Sequence, residues 1–476
     1  MVRYYRLGGT PLWVDEIFSW AVAHLQPGSI VSYLYQGNNP PLWELILHGW
    51  LKLAQNDTEF SVRFLPATFS ALTAVVLYYL GQEGGGRIAG ILSALLWTFS
   101  SFAQGVCREA RAYGLLALLT ALSFLSFTRY LKHQRPIYFW GWLIVSILLI
   151  HTHYSSFFVP LFQVLWLIFA LRQKGLLALV RFGGLIVLSL GPAAIVFITR
   201  AQGYQTGGHA PAFSAESLYN ILWAFSNMPV PTVMALSVWG LSMVLLISKW
   251  LFLSALRAGE APADARLPLI GFLVFVGLIV GIGWNQPLWQ ARYFVPLGIM
   301  YFWAIGAAIV LWRVAIRFIF LGALVIAWIV TFNPVPAPPD VSLPAVARVI
   351  SQKPPHQLLI LSPDYMLPVL AYPLREKLYG DNPLPSLEPD PMLRLSRELR
   401  YHLRLHGASR YADLSPCELL AQDTLLWLDM HLCSANRESI LEELLLQDFY
   451  PIAIQRVDGH ILTIYRRRKD RPSPAD

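Results

Sequence analysis

The sequence predicts a polytopic α-helical membrane protein of about ten spans, followed by a small C-terminal extracytoplasmic α/β domain. Three observations carry that fold class. Hydrophobic residues make up 56% of the 476 and charged residues only 13%, with a mean hydropathy of +0.50, a balance that excludes an ordinary soluble domain. Apolar runs close to the length that crosses about 30 Å of hydrocarbon recur through residues 64–332. Beyond NPVPAPPD (333–340), an extended proline-rich linker, short apolar strands alternate with helical segments.

Residues 1–63 contain no spanning run and read as a first external loop of the 1–332 membrane domain. In it LWVDEIFSWAVAHL forms an amphipathic interfacial helix, QGNNPP a turn, and LWELILHGWLKLA a second such helix. Spans are expected at 64–81, 88–104, 113–130, 137–153, 155–171, 182–199, 231–254, 268–284, 293–312 and 318–332. The triple Gly84–Gly86 falls in a short cytoplasmic turn and lacks the strand–turn–helix context of a nucleotide loop. With residues 1–63 outside, about twelve Lys and Arg, among them Arg87, Arg129, Lys132 and Arg135, fall in cytoplasmic loops. Four, Arg108, Arg111, Arg200 and Arg292, fall in the loops between spans on the opposite side, and residues 1–63 add Arg3, Arg6, Lys52 and Arg63 there. This asymmetry obeys the positive-inside rule and puts the first loop, the four arginines and the C-terminal domain on one face. Seventeen Trp and 21 Tyr are expected at headgroup level. Residues 200–230 form a second large external loop. In the C-terminal domain (341–468), QLLILS (357–362), TLLWLDM (424–430), YPIAIQRV (450–457) and HILTIYR (460–466) read as strands, and SRELRYHLRLH and NRESILEELLLQ as helices. Residues 469–476 are a tail.

The chemistry is sought first at Asp15 and Glu16. An ionised group at the bilayer centre costs at least about 2.5 kcal/mol, so acids are kept at interfaces or in functional cavities. Neighbours on a helix point about 100° apart, so one acid would react and the other orient it; the plain alternative is an interfacial helix that happens to carry acids. In VCREARAYGLL (106–116), Arg108 and Arg111 would share a helix face and offer forked donors to phosphate oxygens. Taken singly, each is as readily a snorkelling arginine. Arg292 in WQARYFVP stands at another external boundary, and convergence of the three would separate the two readings. His151 and His153 in HTHYSSF read as a polar helix end rather than a zinc site, because no further Cys or His cluster accompanies them. Asn39, His151, His153, Tyr113 and Tyr293 are the candidate substrate contacts. No metal site is assigned, no cofactor is firmly implied, and a divalent metal is not indicated. The net charge of +8 fits cytoplasmic loop cations and not nucleic acid, since no basic stripe is interleaved with aromatics. HExxH and GxSxG are absent, which argues against membrane zinc and serine hydrolases.

Taken in order, RLGGTPLWVDEIFS, NNPPLWELILHGWLKL, FSVRFLPATFSAL, CREARAYGLLALLTALSF and QARYFVPLG resemble the GT-C superfamily of polytopic glycosyltransferases. The branch is the one containing protein O-mannosyltransferases and the lipid A aminoarabinose transferases. The resemblance covers about residues 3–310 and implies transfer of a sugar from a polyprenyl phosphate, on the outer face of the plasma membrane, to a lipid, glycan or protein acceptor. It implies Asp15 as general base, Glu16 as its neighbour, and Arg108, Arg111 and Arg292 where donor-phosphate ligands are expected. Two features depart from it. Asn39-Pro40-Pro41 stands where the family often has His-Pro-Pro. The family also has a transmembrane helix ahead of the acidic loop, which leaves two alternatives, a start upstream of Met1 or insertion without that helix, and the upstream start is the one expected. The chemistry agrees: a glycosidase needs two carboxylates about 5–9.5 Å apart, whereas a sugar phosphate leaves as phosphate and needs one base and a cationic clamp. One direct displacement would invert the anomeric carbon. The rival class, a transporter or flippase for a lipid-linked saccharide, predicts broken spans or mid-membrane ionisable groups, of which few are visible. Against a non-catalytic scaffold stand Asp15 and the arginines.

Overall fold

The computed structural model describes residues 2–36, 39–167, 291–310, 343–353, 357–362, 372, 374, 405–407, 424–429, 449–457 and 460–468. The chain divides into one unit of Met1–Leu7 and Leu34–Pro336 and another of Gly8–Tyr33 and Ala337–Asp476. The spans expected at 182–199, 231–254, 268–284 and 318–332, and the loop 200–230, lie outside the described residues. So does the helix expected at NRESILEELLLQ.

The chain opens with helices α1 (Val14–Ala23), α2 (Pro27–Gln36), α3 (Leu42–Ala54), α4 (Glu59–Phe99), α5 (Ser101–Val106), α6 (Tyr113–His133) and α7 (Pro136–Ile150). A further apolar helix covers Tyr154–Leu167, and another Val295–Ile309. Among the described residues, α4 and α6 are long and apolar enough to cross a membrane.

In the first unit α4 contains the expected span 64–81 and most of 88–104, whose last residues fall in α5. It breaks at Gly85 (φ −159°, ψ 15°) and Gly86 (φ 79°, ψ −175°), and the second of these is a conformation that a side chain would oppose. The two halves fold back on each other: Trp97 Nε1 donates to the Ser70 carbonyl at 2.9 Å, 27 residues away. A Cβ on Gly81 would lie 2.7 Å from the Ala89 carbonyl, and one on Gly90 would strike that of Tyr78. Small residues let the backbones approach, as in membrane helix pairs generally. Gly114 likewise brings the start of α6 onto Pro66, and Gly306 brings the Val295–Ile309 helix onto Ala89 and Ser93. Glu83, beside the glycine turn, bridges Arg129 and Lys132 at 3.1 Å each and ties the turn to the end of α6. Gln163 Oε1 accepts from Ser123 Oγ at 2.9 Å and Trp142 Nε1 at 2.7 Å, a buried polar junction between three helices.

The tryptophans correct one expectation in part. Trp20, Trp43, Trp97, Trp142 and Trp303 are fully buried, so these rings pack against protein side chains instead of facing lipid headgroups. Each has more apolar area than any other side chain to remove from solvent. A second correction concerns α2, which the sequence reading left unassigned. Pro27 starts it, and Ile30 and Leu34, one turn apart, are fully buried.

In the other unit, α1 buries Ile17, Trp20 and Ala21, and Trp20 meets Tyr372 edge-on at 5.1 Å. The sheet has strands β1 (Leu358–Ser362), β2 (Leu405–Gly407), β3 (Thr424–Asp429), β4 (Phe449–Val457) and β5 (His460–Arg467). Its order is β2-β1-β3-β5-β4, with β1 parallel to β2 and β3 and β5 antiparallel to β3 and β4. All four expected strands are present. Leu405 and His406, read as the end of a helix in SRELRYHLRLH, instead pair with Leu359 and Ile360. Leu358, Ile360, Leu425, Trp427, Phe449 and Tyr465 form one core cluster, and Leu359 and Leu426 are buried from the opposite side. Burial on both faces is the pattern of parallel strands.

Candidate active site

In the first unit, five of the sequence-predicted residues meet at one end of the helices. The turn His151–His153 follows α7, and its backbone anchors neighbours: the Leu42 N–H donates to the His151 carbonyl at 3.2 Å, setting the start of α3, three residues after Asn39. The His153 ring lies 5.7 Å from that of Tyr113 and 5.5 Å from that of Tyr293. Ser155 Oγ donates to the Tyr293 carbonyl at 3.2 Å, and the Arg292 guanidinium lies 5.7 Å from the Tyr293 ring centre.

The electrostatics of this cluster combine two cations, Arg111 and Arg292, with one acid, Glu109, all of which act on the Tyr113 hydroxyl. Burial first, then Arg111 and Arg292, lower the His153 pKa to about 3. The Ser155 N–H donates to His153 Nδ1 at 3.2 Å, which requires an unprotonated Nδ1 and therefore assigns the proton of the neutral ring to Nε2. Two guanidiniums and a neutral imidazole N–H are a donor set for an anion, and the Tyr113 and Tyr293 rings supply flat surfaces.

Arg108 is placed differently. The sequence reading put Arg108 and Arg111 on one helix face, but residues 107–112 are turn and bend between α5 and α6. Arg108 is 4% exposed and donates to the Tyr5 carbonyl. It belongs with two arginines the sequence reading passed over: Arg63, donating to the Leu7 carbonyl at 3.1 Å, and Arg3, donating to the Trp97 carbonyl at 2.6 Å. All three are buried and clamp the backbone of residues 3–7 and its surroundings. Burial lowers the Arg3 pKa to about 10 and pushes the Cys107 thiol up to about 12, so that thiol is inert at neutral pH.

The other unit carries the acids, and it separates them. Glu16 is fully buried, and its Oε2 accepts the Trp13 N–H at 3.1 Å at the start of α1. It acts as a helix cap. Asp15, one residue earlier in the first turn, is only partly buried. Among the described residues, no three His, Cys, Asp or Glu side chains gather as a metal site.

Residues 38–191 match the family model described as dolichyl-phosphate-mannose-protein mannosyltransferase. Among solved structures, apo ArnT from Cupriavidus metallidurans matches with a TM-score of 0.55 and 12% identity, covering 97% of this chain and 95% of that one. The same protein bound to undecaprenyl phosphate scores 0.43 at 12% identity, covering 97% and 96%. An oligosaccharyltransferase of Archaeoglobus fulgidus, complexed with Zn and sulfate, scores 0.39 at 12% identity, covering 74% of this chain and 57% of that one. No curated protein matches. The family match over residues 38–191 and the ArnT-like fold agree: this chain is similar to the GT-C glycosyltransferases, and within them to the branch that contains the protein O-mannosyltransferases and ArnT.

Proposed function

We propose that the protein transfers a sugar from a polyprenyl-phosphate donor to an acceptor hydroxyl on the extracytoplasmic face of the plasma membrane, with inversion and with Asp15 as general base. The observation that carries this reading is the convergence of Arg111, Arg292 and neutral His153 between two tyrosine rings, a site fitted to a phosphate. The matched family takes its name from a dolichyl-phosphate sugar, which supports a lipid-phosphate donor.

In the proposed reaction the acceptor oxygen attacks the anomeric carbon and the bond from that carbon to the phosphate oxygen breaks. The electron pair leaves with the polyprenyl phosphate, and the acceptor proton passes to the Asp15 carboxylate. Arg111 and Arg292 stabilise the charge that grows on the leaving phosphate; pre-organised donors of this kind contribute about 3–4 kcal/mol each where measured. The His153 Nε2–H adds a donor without adding a charge. Asp15 is given the base role over Glu16 because Glu16 is buried with one oxygen engaged in capping α1. Arg108 is reassigned from phosphate ligand to backbone anchor.

The test is direct. Purified protein is incubated with a panel of labelled polyprenyl-phosphate sugars and candidate lipid, glycan and peptide acceptors. Transfer from one donor, with release of polyprenyl phosphate and an inverted product, is expected. Hydrolysis or transfer from nucleotide sugars alone would sink the proposal.

A further inference from the structure

We propose that the β4–β5 hairpin is a docking surface for anionic lipid headgroups. In the unit that carries the sheet, the large apolar side chains that reach solvent among the described residues all lie on β4: Tyr450 is 38% exposed, Ile452 40% and Ile454 69%. In the other unit, exposed apolar side chains such as Leu72 and Ile91 lie on α4, a helix of membrane-spanning length, where lipid is the solvent. The same physics applied to β4 points to lipid there too.

The hairpin's charge selects which lipid. Residues 449–468 contain Arg456, Arg466, Arg467 and Arg468 against one acid, Asp458, with Asp448 and Asp470 just beyond the two ends. Tyr450 pairs directly with Arg466 across the strands, so ring and guanidinium share a face, and Arg466 and Arg468 are exposed. β4 is the outermost described strand, which raises pairing with a second copy as the competing occupant. Against it, two copies would set like charges side by side. The register shift between Pro451 and Ala453 and the missing N–H of Pro451 also blunt the edge for pairing. A surface of phosphate headgroups over acyl chains meets both properties at once: apolar side chains enter the boundary and guanidiniums meet phosphates.

The experiment uses the full chain reconstituted in vesicles, with Cys417→Ser and Cys433→Ser leaving the buried Cys107. Ile454→Cys, and separately Tyr450→Cys, carries an environment-sensitive nitrobenzoxadiazole label. Vesicles of phosphatidylcholine are compared with vesicles of equal parts phosphatidylcholine and phosphatidylglycerol, each with and without a lipid-borne nitroxide quencher. Blue-shifted, quenched emission is expected in the anionic vesicles. Arg466→Gln and Arg468→Gln should each lower the docked-to-free ratio about fivefold, with the thermal midpoint unchanged. Aqueous emission in both vesicle types overturns the proposal, as does equal quenching in both. A blue shift that escapes lipid quenching and grows with protein-to-lipid ratio overturns it in favour of copy pairing.

Discussion

Acid should loosen this protein through His153, and the size of the effect follows from its surroundings. Its pKa is held at about 3 against an ordinary 6.5. A depressed pKa in a basic group means that the fold favours the neutral ring, while the unfolded chain takes a proton below about 6.5. The stability this contributes is complete above 6.5 and is lost as the pH falls towards 3. At pH 5 the loss is about 2 kcal/mol, the 1.5 units between pH 5 and 6.5 at 1.36 kcal/mol each. Spread over the unfolding entropy of a chain this long, that is a fall of about 2 °C in midpoint. The perturbation is His153→Gln, which keeps an acceptor for the Ser155 N–H and a donor but cannot titrate. The assay is thermal unfolding of detergent-solubilised wild type and variant at pH 7.5 and pH 5. Wild type should lose about 2 °C more than the variant across that interval; His151, also held below its ordinary pKa by burial, is common to both and subtracts out. Equal losses would show that His153 is not held neutral between the two arginines, and the donor set assigned to the phosphate would fall with it.

Other expectations follow from single contacts. Arg292→Lys should raise the donor KM about tenfold or more with kcat less affected, because a point charge cannot reproduce a guanidinium fork and charged hydrogen bonds contribute about 1.5–3 kcal/mol; steady-state kinetics with saturating acceptor measures this. Gly114→Ala places a Cβ against the Pro66 backbone and should destabilise by about 1–3 kcal/mol, whereas Gly49→Ala, with nothing within 4 Å, should be neutral or mildly stabilising in a thermal-shift comparison. Gln163→Leu removes the acceptor shared by Ser123 and Trp142 and should cost about 0.6–1.7 kcal/mol in the same assay. Cysteine substitutions at positions 210 and 400 should label from outside intact cells if the basic-loop asymmetry sets the topology; labelling only after lysis would reverse it.

What the sequence showed, and what it hid, divides by the range of the interactions. The 64–81 and 88–104 runs with three glycines between them announced a hairpin, since hydropathy and a left-handed glycine are local properties. The strands at β1, β3, β4 and β5 were legible for the same reason. β2 was not: Leu405–Gly407 is three residues whose pairing with Leu359–Leu361 lies wholly in tertiary structure, and the surrounding SRELRYHLRLH has helical period. At the site, Arg111, Arg292, His153, Tyr113 and Tyr293 could be named because each flanks an apolar run on the predicted outer face. Arg108 looked identical by that criterion. Its capture by the Tyr5 carbonyl 103 residues away, and the parallel roles of Arg3 and Arg63, leave no local signal, because any arginine can cap a distant carbonyl. The split between Asp15 and Glu16 was half legible: adjacency predicted different directions, but not which acid would turn inward to cap α1.

The central claim is that one carboxylate takes the acceptor's proton while cations hold the leaving phosphate, and Asp15→Asn tests it most directly. Asparagine keeps the size and the hydrogen bonding but cannot accept the proton. Single-turnover transfer from the donor identified in the panel should fall by about 10² to 10⁴, while donor affinity measured by equilibrium binding stays within a few-fold of wild type. Near-wild-type transfer by Asp15→Asn would contradict the account and move the base to Glu16 or to the phosphate of the substrate itself.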